Sequence, residues 1–80
     1  MKREYRVVVK EDNYYYPQFR YVILGLSWVW RYFYYSRNDE PEDYLYIRNF
    51  KEESEARDWL YKKSQEKKFT QVDTERGGED

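Results

Sequence analysis

Apolar and polar residues alternate from Glu4 to Lys10 (EYRVVVK), with Tyr5, Val7 and Val9 on one side of an extended chain and Glu4, Arg6, Val8 and Lys10 on the other. A period of two marks a strand with one half-buried face. Glu11, Asp12 and Asn13 follow, and Asn and Asp tolerate the left-handed backbone of a tight turn, so a hairpin is expected with its second strand starting near Tyr14. The 22 residues from Tyr14 to Tyr35 are too many for one strand, since at ~3.3 Å per residue they would run past ~70 Å. Gly25, the first glycine of the chain, permits the positive φ of a primed turn within Leu24 to Ser27. It divides the stretch into strand two, about 14 to 24, and strand three, about 27 to 35. Pro17 has no N–H to give a ladder, which makes strand two irregular there or places it at an edge. A helix through Val22 to Tyr35 is the rival reading, but the β-branched and aromatic residues and a period near two favour strands.

Ser36 to Asp43 (SRNDEPED) is a polar, proline-containing loop with four acids. Tyr44 to Asn49 alternates again as strand four, Leu45 and Ile47 against Tyr44, Tyr46 and Arg48. A helical pattern follows from about 52 to 67: Ala56, Trp59, Leu60 and Lys63 share a face, and Glu53 with Arg57 and Asp58 with Lys62 stand four apart, acid first. Glutamates near its start and lysines near its end complement the helix dipole. QVDTERGGED lacks periodicity and reads as a frayed acidic tail. The expected fold is α+β: a four-stranded antiparallel meander with one C-terminal helix packed on one face (ββββα), a single domain over residues 1–69 and a flexible tail over 70–80.

With 80 residues there is room for one domain. Fifteen Lys and Arg against 16 Asp and Glu leave a net charge of -1, so no global pull toward nucleic acid or anionic lipid follows. Without cysteine the chain has no disulfides and suits a reducing cytoplasm. The N-terminus lacks the apolar run of a signal peptide. Tyr21 to Trp30 is the longest uncharged apolar run, and its ten residues fall short of the ~20 of a membrane-spanning helix. The 18 aromatic residues are the main reservoir of buriable surface.

Absence of histidine and cysteine removes the commonest general base, zinc ligands and most reactive nucleophile. Ser27, Ser36, Ser54 and Ser64 have no evident activating base, and no glycine-rich phosphate loop occurs. Asp39, Glu40, Glu42 and Asp43 cluster without the glycine and final glutamate of a calcium loop. The expectation is therefore a protein that is no enzyme and carries no metal or cofactor.

One helix covers one sheet face. Apolar content assigns Tyr5, Val7, Val9, Phe19, Tyr21, Ile23, Trp28, Trp30, Tyr32, Tyr34, Leu45 and Ile47 to the helix side. Arg6, Val8, Lys10, Tyr14, Tyr16, Gln18, Arg20, Val29, Arg31, Phe33, Tyr35, Tyr44, Tyr46 and Arg48 fall on the open side. A bulge at Pro17 or Gly25 would flip this parity downstream. Cations and aromatics concentrated on one face fit a binding surface, because Tyr, Trp and Arg dominate hot spots. The candidate binding residues are Arg20, Arg31, Phe33, Tyr35, Tyr44, Tyr46 and Arg48.

Tyr15-Tyr16-Pro17-Gln18 after a short hairpin, a tryptophan-bearing strand, and Phe50 leading into Glu55-Ala56-Arg57-Asp58-Trp59-Leu60 resemble small accessory proteins of phages and prophages. That resemblance implies a viral or mobile-element origin and action by binding a host component. Two functions follow as expectations. The first is a non-catalytic module that binds a host protein, or a second copy of itself as a homodimer, in the host cytoplasm and not at a membrane. The alternative is a single-stranded nucleic-acid or nucleotide-binding protein that uses arginines on phosphates and tyrosines on bases.

Overall fold

The computed structural model describes residues 2–37, 44–66 and 69–75. Its first two strands, β1 (Lys2–Val9) and β2 (Tyr15–Ile23), pair antiparallel without interruption from Lys2 opposite Val22 to Val9 opposite Tyr15. The turn between them relies on the residues that announced it. Asn13 takes φ 65° and its N–H donates to the Lys10 carbonyl at 2.9 Å, while the Tyr14 N–H donates to Asp12 Oδ1 at 2.9 Å.

β2 is not an edge strand, because it has partners on both sides. The Lys10 N–H donates to the Tyr14 carbonyl, and alternation along an antiparallel ladder then makes Val7 opposite Pro17 a pair without hydrogen bonds. Pro17 therefore turns its missing donor away from β1. On that side β2 pairs with other chain at Gln18 and Phe19, and with Phe50 at Tyr15. The proline falls in the gap between those two partners, where no donor is required.

Leu24 and Gly25, at φ 52° and 80°, form a two-residue turn with both centres left-handed. It leads into β3 (Leu26–Ser27), β4 (Arg31–Tyr32) and β5 (Tyr34–Arg37), three segments of what was expected as one strand. β3 and β4 pair with the same edge of β2 in registers that differ by one residue. The Trp28 N–H still donates to the Tyr21 carbonyl at 2.9 Å, so the extra residue lies beyond it: Val29 and Trp30 stand opposite Arg20 alone. That is a β-bulge, and it reverses which side chains point inward from there on.

A second sheet holds β6 (Tyr46–Ile47), β5 and β7 (Val72–Glu75) in that order. β5 pairs antiparallel with β6 but parallel with β7, so this sheet is mixed. The helix α1 (Glu53–Ser64) makes the crossover to β7, and it ends three residues short of the expected boundary. Its inward face is the predicted one: Ala56, Leu60 and Lys63 are buried, Trp59 is half-buried, and Glu53 bridges Arg57. Among the described residues the architecture is thus α+β with mainly antiparallel pairing and one helix, its strands shorter and more numerous than four.

The expected tail begins too early at residue 70. Phe69 packs on the core, β7 joins the sheet, and buried Lys63 holds the connection, its Nζ donating to Asp73 Oδ1 at 2.7 Å and to Thr70 Oγ1 at 2.8 Å. Residues 76–80, and the acidic cluster of Asp39 to Asp43, lie outside the described residues.

Phe19, Phe33 and Leu60 form the core, with Tyr5, Val7, Tyr21, Trp59 and Phe69 packed against it. Ring centroids of Phe19 and Phe33 are 4.8 Å apart, and Phe33 meets Trp59 at 5.0 Å and Phe69 at 5.7 Å. Burial pushes the Tyr5 hydroxyl above its ordinary titration range. Leu45 and Ile47, expected inward, are exposed, since β6 sits at the rim of the second sheet and not under α1.

Candidate binding face

Residues of even number along β1 and β2 point away from the Phe19 core, and after the bulge so do Trp30 and Tyr32. They meet across three strands. The guanidinium carbon of Arg6 lies 4.2 Å from the Trp30 ring centroid and that of Arg20 lies 4.5 Å from it. Each arginine is anchored within the chain. Arg6 Nε donates to Gln18 Oε1 at 2.7 Å, and Arg20 Nε donates to Glu4 Oε1 at 2.7 Å in an ion pair. Gln18 is only 5% exposed under this layer.

Toward the 11–13 turn the same face continues in Tyr16 and Tyr32, edge to face at 5.9 Å, with the Lys10 ammonium 4.8 and 4.4 Å from their ring centroids. The Tyr16 hydroxyl donates to Asp12 Oδ2. That bond, joined by the Tyr14 N–H, holds the Asp12 carboxyl below its ordinary range and pushes the Tyr16 hydroxyl above its own.

The residues proposed from the sequence separate into several places. Arg20 belongs to the Arg6–Trp30 layer. Tyr35 and Tyr46 stack at 5.3 Å in the second sheet, with Arg48 over Tyr35 at 4.5 Å and over Trp59 at 5.2 Å. Tyr44 is exposed ahead of β6, and Arg31, expected on the open side, pairs with Phe19 and so takes the helix side of the sheet, where it is exposed. Phe33 is not on the open face at all: at 1% exposure it is a core residue. Trp30 and Tyr32, expected inward, point outward. One cause explains these corrections, because the bulge at Val29 and Trp30 shifts strand parity by one.

Alternation alone places Arg6, Lys10, Tyr16 and Gln18 on the open side, but it does not connect them to Trp30 and Tyr32. Aromatic and β-branched residues on both sides of the bulge give no local signal of the extra residue. Among the described residues no group of three or more His, Cys, Asp or Glu side chains could hold a metal ion. No helix among them is long and apolar enough to cross a membrane. A shallow groove of about 240 Å³ lies elsewhere, between β1 and α1.

No protein-family model matches the chain, and no curated protein or solved structure matches it.

Proposed function

We propose that the protein is a non-catalytic binding module whose Arg6–Trp30–Arg20 face engages an acidic patch on a protein partner. The observation that carries this reading is the pair of guanidiniums from adjacent strands, both within 4.5 Å of one half-buried indole. Guanidiniums held against a ring have already lost much of their side-chain freedom, so docking a carboxylate costs less ordering entropy. Arginine also offers five N–H donors in a fixed fork suited to carboxylates; Arg6 commits its Nε to Gln18, and Arg20 commits Nε and Nη2 to Glu4, so the remaining donors face the partner. Lys10 and Tyr32 extend the same surface by one strand level. The likeness to phage-type accessory proteins supports a host protein, met in the host cytoplasm, as the partner.

The test is capture from a host lysate with immobilised wild type, Trp30→Ala and Arg20→Ala, each checked for fold by circular dichroism. A protein retained by wild type, insensitive to nuclease, and lost with both variants supports the reading. Equal capture by the variants refutes it. Nuclease-sensitive capture, with labelled oligothymidylate binding that falls steeply between low and moderate salt, would replace it with the nucleic-acid reading.

A further inference from the structure

The first sheet ends in an unprotected strand. Among the described residues β1 pairs with β2 alone, over eight residues with no proline, glycine or bulge. Because Lys10 and Tyr14 form a hydrogen-bonded pair, alternation directs the N–H and C=O groups of Arg3, Tyr5, Val7 and Val9 to the outer edge. Such an edge is a template for another strand unless charges oppose it. Beside it runs the groove between β1 and α1, walled by Tyr5, Val7, Arg57, Leu60 and Tyr61. Tyr61 stands at its rim 69% exposed.

We infer that β1 pairs with β1 of a second copy, antiparallel about a two-fold axis at Tyr5. Charge selects this register. An axis at Glu4 or Arg6 would set like charges directly opposite each other, which disfavours pairing. An axis at Val7 overlaps only residues 5–9 of the strand and leaves Arg6 facing Val8. The axis at Tyr5 overlaps residues 2–8 and places Glu4 opposite Arg6 of the second copy, twice by symmetry. The two charges that would repel an arbitrary strand thus pair with their own kind. The first sheets of both copies then become one continuous sheet, and each Tyr61 closes over the other copy's edge. Backbone groups make the strand pairing itself, whereas Arg6, and the Glu4 that holds Arg20, also belong to the Arg6–Trp30–Arg20 face.

Sedimentation velocity up to high micromolar concentration reads the association, and wild type is expected to dimerise. Glu4→Arg and Arg6→Glu each put two like-charge pairs across the axis, weakening self-association about tenfold or more. Their equimolar mixture restores it, because each copy then supplies the complement of the other. A monomeric wild type, or a mixture no tighter than the separate variants, overturns the proposal. The register has its own readout in the otherwise cysteine-free chain. Nitroxides on Lys2→Cys and on Val8→Cys lie three residues to either side of the axis, so both report backbone separations of about 20 Å by pulsed dipolar spectroscopy. Unequal distances, or no dipolar signal, reject it.

Discussion

Lys63 lets a buried charge be weighed against its partners. The side chain is 2% exposed, and its ammonium contacts Asp73 Oδ1 and Oδ2 at 2.7 and 2.9 Å, Thr70 Oγ1 at 2.8 Å and Glu66 Oε1 at 3.3 Å. Asp73→Ala leaves that ammonium buried with one more distant carboxylate and one hydroxyl. Removing a partner from a fully buried pair costs about 3–5 kcal/mol. Glu66 offsets part of this, and the Asp73 side chain is itself 32% exposed, so the discounted expectation is about 2 kcal/mol. Lys63→Met is the contrasting change. It keeps an unbranched stem beside Trp59 and removes the charge that needed neutralising, while Asp73 is accessible enough to rehydrate. Its expected cost is about 1 kcal/mol or less.

For 80 residues the total stability is on the order of 4–12 kcal/mol, so a difference of about 1 kcal/mol between the variants is readable. Urea unfolding followed by tryptophan fluorescence measures it, and amide exchange of Val72–Glu75 locates it. Loss with Asp73→Ala should concentrate in β7, whose pairing with β5 this contact secures. If Lys63→Met destabilises as much as Asp73→Ala or more, the charge contributes net stability and the reasoning from an uncompensated ammonium fails.

Three further outcomes follow. Leu24 holds φ 52° at 98% exposure, so Leu24→Asn should raise stability by about 0.5–1 kcal/mol in urea unfolding, because Asn enters the left-handed region with less strain. Phe33→Ala should cost about 3–5 kcal/mol as a core truncation, whereas Arg31→Ala, exposed two residues earlier, should change stability by less than about 0.5 kcal/mol. Tyr16→Phe removes the main cause of the lowered Asp12 titration, so NMR titration should find the Asp12 midpoint moved up toward the ordinary value. A carboxyl held low in the fold contributes stability that is present above its unfolded value, about 3.9, and lost as pH falls through the lower folded one. The acid limb of the stability curve should therefore flatten in the variant.

What was legible in the sequence had local periodicity behind it. EYRVVVK alternates, and β1 follows it. Ala56, Trp59, Leu60 and Lys63 repeat at three and four, and they are the buried or half-buried face of α1. Lys63 was legible even as a charged member of that face, though not its partner, because Asp73 arrives by a parallel pairing of β5 with β7 across the whole helix. Parallel partners share no hairpin and leave no adjacent pattern, so QVDTE reads as a tail until its partner is known. Pro17 signals a strand that is irregular there or lies at an edge, and the fold meets the same constraint by placing it between two successive neighbours of β2.

The bulge decides the candidate site. Without the extra residue at Val29 and Trp30, strict alternation would have carried Trp30 inward beside Phe19 and Tyr21 and sent Phe33 to solvent. The core would then lose the ring that contacts Phe19, Trp59 and Phe69 together. The outward face would hold Arg6 and Arg20 with no indole to order them. One inserted position exchanges these two aromatics, giving the helix a phenylalanine to pack on and the open face a tryptophan in contact with two arginines. The physical cost is local, a broken ladder opposite Arg20, and that arginine is the residue whose guanidinium the displaced Trp30 ring then meets. Core packing and the cation-lined face thus arise from the same irregularity, so a change that straightens the strand should damage both together.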